Sequence, residues 1–191
     1  VDVSYLASGA DAVHCTADAT VRMTDCTISG NAGRGLFCAE RTSLTLAGCA
    51  ISQCSRGLRC EDGVTATLTD CDFRNNAGAA LYLREATAEV SGCRISASGG
   101  PGLWCSGPAT VSATECVISD CEFGVRCGDA SLDLARCTVA GNRKHGLWLQ
   151  RPAIVNVSDS ILWHNVQGFA DVDDDATLNV THSCVEGEAV F

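Results

Sequence analysis

The sequence predicts an all-β solenoid in which short strands stack as rungs along one axis. Three observations lead to this prediction. A repeat of about 22 residues runs through the chain, apolar and polar residues alternate with period two inside each repeat, and turn residues separate the alternating segments. Each repeat is too short to bury its own apolar residues, so it must stack on its neighbours. Helical spacing occurs nowhere in the sequence with comparable regularity.

Three columns of equivalent residues define the repeat and predict about eight rungs. The first column runs Cys26, Cys49, Cys71, Cys93, Cys116, Cys137, Ser160 and Ser183. The second column runs Gly35, Gly57, Ala80, Gly102, Gly124, Gly146 and Gly168. The third column runs Asn31, Cys54, Asn76, Ser98, Cys121, Asn142 and Asn165.

One rung shows how the strands are expected to form. In "ATVRMTDCTISGNAGRGLFC", residues 19–38, Val21 and Met23 alternate with polar residues. After a two-residue step, Cys26 and Ile28 alternate again, "GNAGRG" forms a turn, and "LFC" is a further short strand. Each rung is therefore predicted to contain three short strands whose apolar side chains point inward.

This pattern resembles the right-handed parallel β-helix repeats of the pectate-lyase-like superfamily. The resemblance covers nearly the whole chain, through features such as "CTISGNAGRGLFC" and "CTVAGNRKHGLWL". An asparagine ladder at one corner is typical of that fold, because asparagine tolerates left-handed backbone and its amide can bond to adjacent rungs. The residues that fit the ladder are Asn31, Asn76, Asn142 and Asn165.

The resemblance implies one β-helix domain over residues 1–191 and favours an exported protein. The stretch "SILWHN" with "VTHSCVEG" downstream is similar to the ending of many exported bacterial β-helix proteins. The fold hosts lyases, hydrolases, epimerases, adhesins and inert fibres, so it does not select a function. The two ends of the chain align within a rung, which predicts either a piece of a longer exported protein or copies that stack end to end.

Fourteen cysteines also favour export, with disulfides, over a cytosolic metal–thiolate protein. The cysteines recur after three rungs, from Cys26 to Cys93 and from Cys60 to Cys127, so residues 26–92 are predicted to be an internal copy of 93–158. Rungs about 4.8 Å apart allow the Cα separation of a disulfide, and at least one bridge between rungs is expected, with open connectivity. The disulfide candidates are Cys26, Cys38, Cys49, Cys54, Cys60, Cys93, Cys105, Cys116, Cys121 and Cys127.

In a further inward column, two leucines stand where cysteine is otherwise found. Leu83 and Leu149 occupy the positions of Cys60 and Cys127 in other rungs. A metal ligand could not be exchanged for leucine in an otherwise matching site. These cysteines are therefore interpreted as core residues, and no metal site is predicted there.

The residue between two inward positions must point outward, and one such column is rich in aromatic and arginine side chains. It begins at His14, is predicted to end at Ala170, and between them contains the six residues called the stripe from here on: Phe37, Arg59, Tyr82, Trp104, Arg126 and Trp148. The stripe is either a stacking ladder that stiffens the sheet, a groove that binds a linear glycan, or a protein–protein interface. It supplies the candidate ligand-binding residues.

Evidence for catalysis is weak in the sequence. The bend column places Asp25, Asp70 and Glu115 on alternate rungs, roughly 9–10 Å apart, with glycines between them. Carboxylates at that separation are too far apart to share one Ca²⁺. The separation is close to the upper limit for the two carboxylates of an inverting hydrolase, so it supports that activity only weakly. "DVDDD" is the one acidic cluster and offers a weak Ca²⁺ candidate in Asp171, Asp173, Asp174 and Asp175. No other cofactor is predicted.

The expected function is therefore a non-catalytic extracellular or cell-surface scaffold that presents the stripe to a glycan or protein. The alternatives are a structural protein that stacks end to end into a fibre, and a polysaccharide lyase or hydrolase. The net charge of −10 argues against a nucleic-acid partner, because such a partner needs a basic face. No apolar run is long enough for membrane insertion.

Overall fold

The structure is a computed structural model that describes residues 5–6 and 10–187. It is a parallel β-solenoid of about seven turns, close to the eight rungs predicted. The described residues contain strands and turns but no helix. Every strand pairs in parallel with the equivalent strand of the next rung, which is the pairing that a stacked repeat requires.

Three faces run the length of the solenoid. The first face consists of Tyr5–Leu6, Thr27–Ser29, Ala50–Ser52, Asp72–Arg74, Arg94–Ser96, Val117–Ser119, Thr138–Ala140, Ile161–Trp163 and Cys184–Val185. The second face contains Val13–Cys15, Leu36–Cys38, Leu58–Cys60, Leu81–Arg84 and Ala170–Val172. The third face contains Thr20–Thr24, Ser43–Ala47, Thr65–Thr69, Thr87–Ser91 and Thr177–Thr181.

In three rungs the second and third faces share one continuous strand, which differs from the three short strands predicted. These strands are Leu103–Thr114, Val125–Ala135 and Leu147–Ser158. Their pairing shifts register at the corner, between Ser106 and Ala109 and again between Gly128 and Ala130. A bulge of this kind bends a strand without ending it, so the corner is turned while the strand continues.

The inward columns form one continuous core. Leu36, Leu58 and Leu81 stack in register and are fully buried. Cys38 and Cys60, two positions after the first two of these leucines, are also fully buried. Deletion of a buried side chain of this size costs about 2–5 kcal/mol of unfolding free energy. Because these side chains pack against those of the adjacent rungs, each rung is stabilised mainly by its two neighbours.

The asparagine ladder is confirmed at the corner between the first and second faces. The side-chain oxygen of Asn76 accepts a hydrogen bond from the Cys54 amide at 3.1 Å, and its side-chain nitrogen donates to the Ile51 carbonyl at 3.3 Å. The left-handed backbone lies one residue earlier than expected, at positions such as Asn75 with φ 55°. The ladder asparagines are therefore selected for their buried amide bonds and not for left-handed geometry.

Candidate functional site

The stripe lies on the outer surface of the second face, as predicted. Adjacent members are paired in register from Phe37 through Trp148, so one side chain is presented at each rung. Phe37 is buried by its neighbours, and the other five side chains are half-buried. The six residues span about 24 Å along the solenoid axis at the usual strand spacing.

In the first three-rung copy, the stripe arginine is neutralised by a carboxylate. Arg59 Nη2 lies 2.6 Å and Nε 2.9 Å from one oxygen of Glu61, on the same strand surface. A second arginine, Arg84, approaches Glu61 at 3.4 Å. The Arg59 guanidinium is 5.8 Å from the Phe37 ring and 5.3 Å from the Tyr82 ring. The cation is drawn to the carboxylate more closely than to either ring.

In the second copy, the stripe arginine lies between two indole rings. The Arg126 guanidinium is 4.4 Å from the ring centroids of both Trp104 and Trp148. Its Nε and Nη2 donate to the side-chain oxygen of Gln150 at 3.0 and 2.8 Å. No carboxylate of the described residues comes within 4 Å of this cation. Burial lowers the pKa of Arg126 from its usual value, but arginine stays protonated at any physiological pH.

A glycine explains why a neutral amide reaches Arg126. Gly128 stands where the first copy has Glu61, and a Cβ there would lie 3.3 Å from Cβ of Gln150 on the next rung. The missing side chain leaves the space through which Gln150 reaches across to the guanidinium. The sequence identified Arg126 but not this partner, because the contact depends on how two rungs are stacked.

The stripe ends at an acidic residue, which corrects the prediction of Ala170. Trp148 pairs with Asp171, and Ala170 points inward above Leu147. The glycine column predicted through Gly168 is displaced by one residue in this rung, because Phe169 directly precedes Ala170 as Gly146 directly precedes Leu147. Asp171 Oδ2 lies 3.8 Å from Nε2 of His145, so an imidazole and a carboxylate stand beside Trp148.

Neighbouring residues extend the aromatic surface on the other side. The Phe123 ring stacks on Trp148 with centroids 4.6 Å apart, and Lys144 lies 4.7 Å from the Phe123 centroid. Lys144 donates to Glu122 at 2.7 Å. Tyr82 and Trp104 contact each other at 4.5 Å across the boundary between the two copies. The stripe is thus a stacked array whose ring faces are largely covered and whose edges reach solvent.

The acidic candidates are not gathered into a metal site. Within residues 5–6 and 10–187, no group of three or more His, Cys, Asp and Glu side chains is arranged to hold a metal ion. Asp171 lies 3.8 Å from His145, and calcium at Asp171, Asp173, Asp174 and Asp175 stays a prediction. In the bend column, Glu115 pairs with Arg136 at 3.0 Å.

All fourteen cysteines lie among the described residues, and all are free thiols. The structure therefore contains no disulfide at any candidate: Cys26, Cys38, Cys49, Cys54, Cys60, Cys93, Cys105, Cys116, Cys121 or Cys127. In a parallel, in-register column the Cβ atoms are about as far apart as the strands, about 4.8 Å. A disulfide needs Cβ atoms about 3.5–4.5 Å apart, so the stacking that satisfies the Cα criterion works against the bond.

The first cysteine column differs from the inward column that contains Leu83 and Leu149. Its thiols donate to the carbonyl two residues earlier, as Cys71 does to Thr69 at 3.3 Å. In the same column the Cys71 amide donates to Cys93 Sγ at 3.4 Å, and the Cys137 amide donates to Ser160 Oγ at 2.9 Å. These cysteines satisfy polar backbone groups at a corner, which explains why serine continues the column.

The inward cysteines have a different environment. Cys105 and Cys127 are in register and fully buried. The hydrogen bond with Cys127 and burial both raise the pKa of Cys105, so the neutral thiol is favoured. Leucine replaces cysteine in this column because the site is apolar.

Comparisons with known proteins agree on the fold. The family model described as "Right handed beta helix region" matches residues 2–88 and 56–190. A search of curated protein sequences finds no match to the chain. Among the described residues there is no helix long and apolar enough to span a membrane.

Solved structures similar to the chain include three of the periplasmic alginate epimerase AlgG. A single-substitution variant has TM-score 0.84 and 12% identity, and it covers 91% of this chain and 47% of that one. The unsubstituted protein has TM-score 0.70 and 12% identity, with 90% and 46% covered. A second variant has TM-score 0.69 and 11% identity, with 90% and 46% covered. The chain spans about half the length of these proteins, and the similarity establishes the fold alone.

Proposed function

Because the chain belongs to the right-handed β-helix family, we propose that its role follows from the outer surface of that solenoid: it is a non-catalytic exported module that binds a polysaccharide along the stripe. One observation carries the proposal. The stripe places an aromatic or arginine side chain on each of six successive rungs, and a polymer lying along the axis meets the same kind of contact at every rung. Weak contacts of this kind add along a chain.

The second copy is the stronger half of the proposed site. Gln150 accepts hydrogen bonds from Nε and Nη2 of Arg126, which leaves Nη1 and one hydrogen of Nη2 to donate to a ligand hydroxyl or carboxylate. The indole rings hold the guanidinium in a fixed orientation, so little side-chain entropy is lost on binding.

Ring geometry favours edge contacts over broad stacking on sugars. Arg126 covers one face of both Trp104 and Trp148, and Tyr82 and Phe123 cover further ring surface. A glycan would therefore lie against the half-exposed ring edges and bond to the arginine between them.

The proposed location outside the cytoplasm is supported by composition and by similarity. The structural neighbour is periplasmic by name, and cysteine-rich chains are more common outside the cytosol. Twelve of the fourteen thiols are buried in the structure, which would shield them from oxidants after export.

Polysaccharide binding can be tested with matched tryptophan variants. Alginate, the polymer named in the structural neighbour, is the first probe, beside a neutral glucan and a broader glycan array. Trp104→Ala and Trp148→Ala are expected to weaken binding about tenfold or more. Trp163→Ala is the control, because Trp163 is more exposed than either stripe tryptophan and lies on the first face. Equal binding by all three variants and the wild type would show that the stripe is not the polysaccharide-binding site. Binding to proteins but to no glycan would favour a protein partner.

A second candidate function is cleavage or modification of a polysaccharide. The observation that favours it is the imidazole of His145 beside Asp171 at the end of the stripe. An imidazole at this end of the stripe is a candidate general base on a bound sugar, with a carboxylate 3.8 Å away. The measurement is the release of unsaturated or shortened products from alginate and pectate, with and without Ca²⁺, by the wild type and by His145→Ala. Binding without any product rejects this candidate.

A further inference from the structure

Six successive rungs place a cysteine at the same corner, and this set is called the thiol ladder: Cys26, Cys49, Cys71, Cys93, Cys116 and Cys137. All six side chains are buried, from 1% to 6% exposed, and all are free thiols. Backbone hydrogen bonds of 2.8–3.0 Å link each rung to the next at this corner, such as those from the Ala50 and Arg94 amides to the carbonyls of Cys26 and Cys71.

The spacing of the ladder suits a bridging metal ion better than a disulfide. Successive thiols repeat at about 4.8 Å, too far for the Cβ atoms of an unstrained disulfide. Two metal–thiolate bonds of about 2.3 Å placed end to end span about 4.6 Å, so an ion midway between two sulfurs needs almost no movement of the rungs. Copper(I) and silver(I) are soft ions that prefer thiolate sulfur and accept two ligands in a line.

We propose that the thiol ladder binds soft monovalent ions, copper(I) or silver(I), with one ion in each of its five gaps. Each ion is held by two sulfurs on adjacent rungs, so the site needs no cluster of three ligands. Binding five ions makes all six sulfurs thiolate ligands and releases six protons, so the filled ladder carries one net negative charge and each interior thiolate bridges two ions. No electron is transferred, because the ion enters and remains in the monovalent state.

Two features separate the ladder from the other cysteines. The inward column of Cys15, Cys38 and Cys60 is interrupted by Leu83 and resumes at Cys105, so it offers only short runs. The ladder lies one residue after the exposed bend column, where the carboxylates of Asp25 and Asp70 reach over Gly48 and Gly92. A cation therefore meets carboxylates beside the ladder but apolar neighbours beside the inward column.

The experiment counts the silver(I) ions held by the reduced, folded chain with all variants in a Cys184→Ser background, which removes the exposed thiol. Ions are counted by elemental analysis after competition with a soluble thiol. Cys93→Ser destroys two gaps and is expected to lower the count by two. Cys137→Ser is at the end of the ladder and is expected to lower it by one. Serine is tolerated in this column, as Ser160 and Ser183 demonstrate.

Controls make each result decisive. Cys71→Ser is a second interior variant with the same expected loss of two ions, and Cys54→Ser, outside the ladder, is expected to change nothing. X-ray absorption at the silver edge should find two sulfur neighbours in a line. Equal losses from interior and terminal variants, or no silver retained by the folded wild type, would overturn the proposal. It is independent of the polysaccharide proposal, since no ladder residue belongs to the stripe.

Discussion

The stripe has the order aromatic–arginine–aromatic twice, and its two arginines meet different surroundings. Arg59 in the first copy pairs with Glu61 at 2.6 Å and stands more than 5 Å from both rings. Arg126 in the second copy lies 4.4 Å from both of its rings and bonds to the neutral Gln150. One position explains the difference, because Gly128 has no side chain where the first copy has a carboxylate.

A duplicated surface can therefore keep its shape while changing its charge. In the first copy, Glu61 cancels the charge of Arg59 and also attracts Arg84. In the second, no carboxylate of the described residues forms an ion pair with the cation, and Glu122, which attracts it from farther away, pairs with Lys144. An anionic or hydroxyl-rich ligand should therefore favour the second copy.

The largest expected effect concerns the asparagine ladder, which differs in extent between the copies. Asn142 accepts from the Cys121 amide at 3.0 Å and donates to Asn165 at 2.9 Å, whereas Asn76 has no asparagine on the next rung. Asn142→Ala should lower the free energy of unfolding by about 3 kcal/mol and Asn76→Ala by about 2 kcal/mol, since each leaves buried polar groups unpaired. Urea denaturation measures both free energies of unfolding. Equal losses would show that the hydrogen bond from Asn142 to Asn165 contributes nothing to stability.

The next largest effect is a loss of stability on Cys→Ser substitution, which should be alike at equivalent positions of the two copies. Cys38→Ser and Cys105→Ser place a hydroxyl in the apolar inward column, and each should cost about 1–3 kcal/mol. Cys49→Ser and Cys116→Ser fall in the corner column, where serine occurs naturally, and each should cost under about 1 kcal/mol. Thermal unfolding of the four reduced variants measures the order. A larger cost at the corner than in the core would contradict the distinction between the columns.

The smallest effect is on ligand affinity. Arg126→Leu should weaken binding to alginate about tenfold, or about 1.4 kcal/mol, because it removes the cation not neutralised by a carboxylate. Arg59→Leu should change affinity less than about twofold, because the Arg59 guanidinium is already paired with Glu61. Isothermal titration at two salt concentrations gives both values, and the weakening by Arg126→Leu should be smaller at high salt. A greater loss from Arg59→Leu would reverse the roles assigned to the two halves.

Much of the fold could be predicted because a solenoid repeats its own constraints. The alternation around Leu36 and Cys38 gave the inward column, and the same alternation placed Phe37 outward. Each further rung repeated that information, and the misalignment came at Gly168, a turn glycine one residue before the equivalent position, which Phe169 occupies. The strand begins five residues after Asn165, as it does after Asn142, so the asparagine and not the glycine marks the register.

The rest depended on contacts between rungs, which a linear pattern does not contain. The reach of Gln150 to Arg126 requires the space at Gly128, and this space exists only when the strands are stacked. The expectation of disulfides used the Cα spacing and missed the longer Cβ spacing of parallel columns. The division of cysteines into corner and core positions needed the hydrogen bonds of Cys93 and Ser160.

The central claim is that the charge environment of the stripe arginine decides which copy binds the polysaccharide. The most direct measurement exchanges that environment and compares alginate affinities by titration. Gly128→Glu with Gln150→Arg gives Arg126 the partners of Arg59, and Glu61→Gly with Arg84→Gln does the reverse. If the charge environment decides, the first double variant binds alginate about tenfold more weakly and the second binds it more tightly. Unchanged affinity in both, with the fold intact by circular dichroism, would contradict the claim.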